Sequence, residues 1–130
     1  MSVKLLLGAL FALIAPALAA ADEDTCDQST HLTVMECLNA RIGVAAAELK
    51  VLYSATLAQR PDLDPSDIRK TRAQLLKSQE AWRNYVTAQC DLVGGLQGGS
   101  NSWVTTFAMQ CVLEETKKRV DFLKHLPQGG

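Results

Sequence analysis

Four cysteines constrain the fold of this chain more than any other feature of its sequence. They are Cys26, Cys37, Cys90 and Cys111, and no two of them form a C-x-x-C pair. An even number of cysteines in a small exported domain predicts disulfides, here two of them. A redox site is the weaker interpretation, because reactive pairs usually lie close together in sequence at the start of a helix.

The first nineteen residues indicate export. Lys4 precedes an apolar run over 5–15. After this run comes Ala17-Leu18-Ala19, which has the small-residue spacing of a cleavage site. This pattern is typical of a secretory signal peptide, and the run is too short to span a bilayer comfortably. We expect 1–19 to be a signal peptide and 20–130 to be a single helical domain without a membrane anchor. The expected location is the bacterial periplasm or the outside of the cell.

The charge pattern argues against several classes of partner. The net charge is −1 at pH 7, so no polybasic surface for nucleic acid is expected. Residues 20–40 contain five acidic residues and no Lys or Arg. They could be a solvated tail or a docking site for a basic partner. His31 and His125 are far apart, and the cysteine spacing does not suggest zinc, so we expect no metal and no other cofactor.

Caps and hydrophobic periodicity predict a first helix over residues 34–59. Thr33 and Glu36 have the spacing of a capping box, and Pro61 ends the helix because a residue before proline avoids the helical region. Apolar residues then recur at alternating spacings of three and four, as on one buried face. They are Met35, Leu38, Ile42, Ala45, Leu49, Leu52 and Thr56.

A second helix is predicted to restart at Asp64-Pro65-Ser66-Asp67, with an acidic cap and a proline at the first helical position. Its buried face would carry Ile68, Leu75, Trp82, Val86 and Cys90. We expect it to reach about Leu92 and to stop at Gly94-Gly95. The residues up to Ser102 then form a glycine-rich loop.

A third helix is predicted to open near Trp103 and to close before Pro127. Its buried face would carry Phe107, Met109, Leu113, Thr116, Val120 and Leu123. No segment shows the sustained alternation of a strand. The predicted fold is therefore all-α, an up-down-up bundle of three helices with two disulfides.

Three pairings of the four cysteines are possible. In the predicted bundle all four lie at one pole, where the first and third helices start and the second ends. Pairing Cys26 with Cys37 and Cys90 with Cys111 is favoured because each bridge closes a short ring. The alternative, Cys37 with Cys90 and Cys26 with Cys111, stays open.

Several short motifs, taken in order, resemble the LprI-type lysozyme inhibitor domain. They are Cys26 with Thr33-x-x-Glu36-Cys37, Ala47-Glu48-Leu49 with Leu52-Tyr53, Gln79-x-x-Trp82-x-x-Tyr85 with Cys90, Gly98-Gly99-Ser100, and Cys111 followed by Thr116-x-x-Arg119. The resemblance covers the chain from Cys26 to about Leu123. It implies a helical, envelope-associated protein of a family named for inhibition of lysozyme. The chain departs from the family at Lys50, where asparagine is frequent, and at Val86, where arginine is frequent.

Five residues of these motifs form a candidate structural cluster: Gln79, Trp82, Tyr85, Thr116 and Arg119. They could form a polar network in the core or a binding surface. The core is favoured because Trp82 lies on the buried face of the second helix and Gln79 is one turn before it. A buried amide needs a partner, which Arg119 could supply unless it bridges to Glu80.

No catalytic pattern is present in the sequence, so we expect a binding protein and not an enzyme. Glu114 and Glu115 are adjacent and cannot flank a substrate, and no serine lies in a nucleophile elbow. The resemblance implies inhibition of c-type lysozyme, generally a basic protein, or of a related peptidoglycan hydrolase. The alternative is an accessory envelope protein that binds another periplasmic protein. The oligomeric state stays open.

The glycine loop is the candidate contact region for such a partner. Its candidate binding residues are Asp91, Gly98, Gly99, Ser100, Asn101 and Trp103. The same loop could also be a flexible connector without a binding role.

Overall fold

Three long helices make up most of the residues that the structure describes. A computed structural model describes Cys26, residues 30–60, Ser66 and residues 69–127. The helices are α1 (His31–Ala58), α2 (Thr71–Gln97) and α3 (Asn101–Lys124), and these described residues contain no strand. None of the three helices is both long enough and apolar enough to cross a bilayer. The all-α class is confirmed, whereas the expected signal peptide lies outside the described residues.

The start of α1 differs from the predicted capping box. Thr30 is the N-cap, and its Oγ1 accepts a hydrogen bond from the backbone N–H of Thr33 at 3.4 Å. The hydroxyl of Thr33 donates to the carbonyl of Thr30 at 2.8 Å. Thr33 therefore lies inside the first turn, so the capping box with Glu36 is wrong. The predicted buried face of α1 is confirmed, since every one of its residues is buried or half-buried.

The start of α2 is later than predicted. The helix begins at Thr71, after Lys70 in a left-handed conformation at φ 41° and ψ 42°. The residues on which the earlier start was based, Asp64, Pro65 and Asp67, lie outside the described part of the chain. Arg72 in the first turn of α2 donates from Nη1 to the carbonyl of Leu57 at 2.7 Å. The same carbonyl also accepts from the backbone N–H of Arg60 at 3.3 Å, so the Arg72 bond adds a second donor there and holds the two helix ends together.

The predicted stop at Gly94-Gly95 is wrong, because α2 continues to Gln97. A Cβ atom on Gly94 would lie 2.6 Å from the carbonyl oxygen of Val104 and 3.1 Å from the Cβ of Ala108. Gly94 is therefore required for the close approach of α2 and α3, and not for a turn. The predicted loop shortens to residues 98–100, and α3 begins at Asn101, two residues earlier than expected.

We expect the two adjacent glycines to respond oppositely to alanine. Gly94→Ala should lower the free energy of unfolding by about 1–2 kcal/mol, because a methyl group forced against a backbone carbonyl outweighs the helix propensity gained. Gly95 has open space around it. Gly95→Ala should therefore raise the free energy of unfolding by about 0.5–1 kcal/mol. Urea unfolding of both variants measures the difference, and equal effects would contradict the close packing at Gly94.

The helix α3 is the centre of the bundle, since it packs along both α1 and α2, whereas α1 and α2 approach each other much less. On α1 and α3 the partners follow the same order: Leu38 shares a cluster with Leu113, and Leu49 with Val120. These two helices are therefore parallel. Gln79 bonds to Arg119 and Cys90 to Cys111, so α2 runs antiparallel to α3. The up-down-up topology is confirmed.

Two apolar clusters fill the bundle at different heights. The first lies between α1 and α3 and is formed by Val34, Leu38, Ala45 and Leu113. The second joins all three helices and is formed by Leu49, Leu75, Val120 and Leu123. Both favoured disulfides are confirmed: Cys26 bonds to Cys37, and Cys90 bonds to Cys111. The alternative pairing is wrong, because each bridge joins the cysteines that are nearest in sequence.

Candidate functional site

The turn between α2 and α3 is short and depends on two glycines. Gly98 and Gly99 have φ values of 71° and 96°, a region that side chains with a Cβ rarely adopt. Ser100 follows as the N-cap of α3, and its side chain makes no capping hydrogen bond. We call residues 96–103 the α2–α3 end. It is a tight turn between two packed helices and not the longer projecting loop that the sequence predicted.

Trp103 is the main aromatic side chain of the α2–α3 end, and 42% of its surface is exposed. Its ring stacks on Phe107 with centroids 5.8 Å apart, and the ring of His31 lies 6.3 Å away. A Cβ atom on Gly99 would lie 3.2 Å from the Cβ of Trp103. The indole is therefore supported by its neighbours from α1 and α3 while much of it stays in contact with solvent.

Further apolar side chains are exposed near the same end of the bundle. Leu96, in the last turn of α2, is 75% exposed, and Leu92 lies one turn before it. Leu32 on α1 is also exposed and follows His31, which contacts Trp103. Several exposed apolar residues at one end of a bundle, together with a half-exposed aromatic ring, are typical of an interaction surface. Leu96 was not predicted to lie on a helix, because α2 was expected to end at about Leu92; its spacing of four residues from Leu92 was visible in the sequence.

The structure brings most of the predicted binding residues together. Gly98, Gly99, Ser100 and Asn101 are consecutive, and Trp103 lies against Gly99. Asp91 is exposed on α2, about 10 Å along the helix axis from the turn. It therefore lies at the edge of this surface.

A rigid base supports the α2–α3 end. The Cys90–Cys111 bridge joins the two helices, and Cys90 is only 2% exposed. Gly94 lies one turn further along α2, where the backbones are in close contact. These two constraints hold the turn in a fixed position, which lowers the entropy that binding would cost.

A second cluster of predicted residues is centred on the buried Arg119. Its Nε donates to Oε1 of Gln79 at 3.0 Å, and its Nη2 donates to Oγ of Ser78 at 3.0 Å. The guanidinium also lies over the rings of Trp82 and Phe122, at 5.9 and 5.0 Å from their centroids. Arg119 therefore contacts the neutral Gln79 and not Glu80.

Burial lowers the pKa of Arg119, whereas the neighbouring Tyr53 raises it. In the part of the chain that the structure describes, no carboxylate pairs with this guanidinium. Thr116 is buried near the same cluster and donates from its hydroxyl to the carbonyl of Val112 at 2.7 Å. Tyr85, one turn after Trp82 on α2, is exposed over half of its surface. The cluster is therefore a polar network inside the bundle.

The two histidines have separate neighbours. His31 lies beside Trp103, and His125 pairs with Asp121 at 3.2 Å. Over residues 30–60 and 69–127, no three His, Cys, Asp or Glu side chains lie close enough to hold a metal ion.

The fold and the α2–α3 end define a disulfide-bridged three-helix domain that presents a rigid, partly apolar surface. The family model described as lysozyme inhibitor LprI matches residues 21–123. The chain therefore belongs to the LprI lysozyme inhibitor family, which is named for inhibition and not for an enzymatic activity, and the resemblance read from its motifs is confirmed. No curated protein and no solved structure matches the chain.

Proposed function

We propose that this protein is exported to the bacterial periplasm or beyond and inhibits c-type lysozyme, or a related peptidoglycan hydrolase, by binding it. The match of residues 21–123 to the lysozyme inhibitor family carries this proposal. Two disulfides support an oxidising compartment, and the leader pattern over 1–19 supports export.

We assign the contact with the hydrolase to the α2–α3 end. An exposed tryptophan fixed by its neighbours is the kind of residue that dominates binding energy in protein interfaces. Trp103 meets this description because Phe107 and His31 support its ring. Leu96 adds exposed apolar area at the same end of the bundle, and the Cys90–Cys111 bridge ties α2 to α3 nearby.

Polar groups at the same end fit the chemistry of a lysozyme cleft. Such clefts carry two carboxylic acid residues that act on the glycan. The hydroxyl of Ser100 makes no capping bond, and the exposed Asn101 carries a side-chain amide. Both groups can donate hydrogen bonds to carboxylates. Asp91 at the edge of the surface would face the basic exterior of the hydrolase.

The proposal is tested with the oxidised protein, expressed with its own leader and purified after export. We expect it to slow the lysis of cell-wall suspensions by c-type lysozyme in a dose-dependent way. No inhibition at large molar excess, with helical content confirmed by circular dichroism, would contradict the proposal and favour an accessory role in the envelope.

The binding surface is tested by replacing each of two exposed aromatic residues with alanine. Trp103→Ala should weaken inhibition at least tenfold, the loss expected for an aromatic residue at the centre of an interface. Tyr85→Ala is the matched control, because Tyr85 is similarly exposed and lies about 18 Å along α2 from the turn. Its inhibition should stay unchanged. Equal loss in both variants would place the contact elsewhere.

A further inference from the structure

A groove runs between α1 and α2, separate from the α2–α3 end. It exists because α3 packs against both helices while α1 and α2 stay further apart, so that α3 forms its floor. Its volume is about 320 Å³. This is the lower end of the range for sites that bind small molecules. We call it the α1–α2 groove.

Two aromatic side chains line the α1–α2 groove, one from each helix. Tyr53 lines it from α1 and Trp82 lines it from α2, and both are half-buried. Trp82 has the guanidinium of Arg119 over its ring, at 5.9 Å from the centroid, which fixes the indole from inside the bundle. The groove therefore offers flat apolar surfaces that accept the face of a ring.

Two exposed cations border the same groove. Lys50 lies on α1 and Arg83 on α2. No ion pair joins either of them to a carboxylate of the described residues, and no Asp or Glu is among the described side chains that line the groove. The buried Arg119 adds a third positive charge behind Trp82. A protein with a net charge of −1 thus concentrates positive charge around one apolar groove.

Two polar side chains at the floor of the groove can orient a bound ligand by hydrogen bonding. Oε1 of Gln79 accepts from Arg119, so the amide of Gln79 is held in one orientation and its Nε2 is the atom left to donate. The hydroxyl of Thr116 donates to Val112, so its oxygen can still accept. Both residues line the groove. One donor and one acceptor are therefore fixed at the floor.

We propose that the α1–α2 groove binds a small ligand that has a carboxylate beside an apolar ring face. The carboxylate lies between Lys50 and Arg83, which attract it from both helices. The ring face lies between Trp82 and Tyr53. Carboxylated amino sugars and aromatic carboxylic acids share this chemistry. The proposal is independent of lysozyme binding, since it uses a different surface of the bundle.

The proposal is tested by fluorescence titration of the full oxidised protein. The chain has two tryptophans, so a Trp103→Phe background leaves Trp82 as the only indole. One pair of probes is N-acetylmuramic acid and N-acetylglucosamine, which differ by a carboxylate-bearing substituent. A second pair is phenylacetate and phenylacetamide. In at least one pair we expect the carboxylate to change Trp82 fluorescence with a Kd at least tenfold lower than its neutral counterpart.

The responding pair identifies the class of ligand, a carboxylated sugar or an aromatic acid. Combining Lys50→Gln with Arg83→Gln should raise the Kd of the carboxylate probe at least tenfold without unfolding the protein, since both side chains are exposed. Lys118→Gln is the control for a general change of charge and should leave the Kd unchanged. The proposal is overturned if neither carboxylate binds better than its neutral partner, or if the control variant weakens binding as much as the paired change.

Discussion

Removing the Cys90–Cys111 bridge with Cys90→Ala and Cys111→Ala is expected to lower the free energy of unfolding by about 3 kcal/mol, the effect of releasing a ring of this size in the unfolded chain. The bridge joins α2 to α3, and Cys90 is almost completely buried. A domain of this size is stable by only about 5–15 kcal/mol, so the loss is large. Urea unfolding of the oxidised variant and of the unchanged protein measures it.

The second bridge is the matched control for this prediction. Cys26→Ala with Cys37→Ala opens a ring with a sequence separation of 11, against 21 for Cys90 and Cys111. Its shorter ring should make the loss smaller by about 0.5 kcal/mol. The second pair of substitutions also leaves the α2–α3 end intact, so inhibition of lysozyme should persist. A greater loss from the Cys26–Cys37 pair would contradict this ranking.

Replacing Arg119 by methionine is expected to lower the free energy of unfolding by about 2–3 kcal/mol, because it removes the charge-assisted hydrogen bonds to Gln79 and Ser78 and leaves Oε1 of the buried Gln79 without its partner. Gln79 is 5% exposed, so water cannot easily replace the lost donor. Methionine has a similar length, so most of the packing stays. Urea unfolding monitored by circular dichroism measures the change.

A double variant tests whether the loss of stability comes from leaving Gln79 without a hydrogen-bond partner or from removing the charge of Arg119. Combining Gln79→Leu with Arg119→Met removes both buried polar groups, and apolar pairs of similar volume often replace such groups at little cost. We expect most of the lost stability to return. The single variant Gln79→Leu is measured as well. If the stability lost in the double variant equals the sum of the losses in Arg119→Met and Gln79→Leu, the bond between Arg119 and Gln79 does not account for the effect.

The buried faces of the helices could be predicted because they depend on local periodicity. Leu38 and Leu49 on α1, like Leu113 and Val120 on α3, recur at helical spacings and are buried in the structure. Helix ends were less predictable. Thr30 and Thr33 are equally plausible caps by composition, and only the hydrogen bond to the N–H of Thr33 distinguishes them.

The candidate site was predicted only in part. Trp103 and the turn glycines were identified because their residue types indicate exposed turns and aromatic contacts. The sequence did not predict the contact between His31 and Trp103. It also did not predict that α2 continues past Leu96. Both features depend on how closely the helices approach each other, and a local sequence pattern carries no information about that distance.

The sequence by itself determined the helical class, the helix faces that are buried and a preferred cysteine pairing, since periodicity and short rings are properties of neighbouring residues. Only the tertiary structure decided which helix is central. It also decided that Gly94 is a packing residue, since a Cβ there would meet the backbone of α3. The groove beside Trp82 likewise depends on the distance between α1 and α2, which is set by how each of them packs on α3.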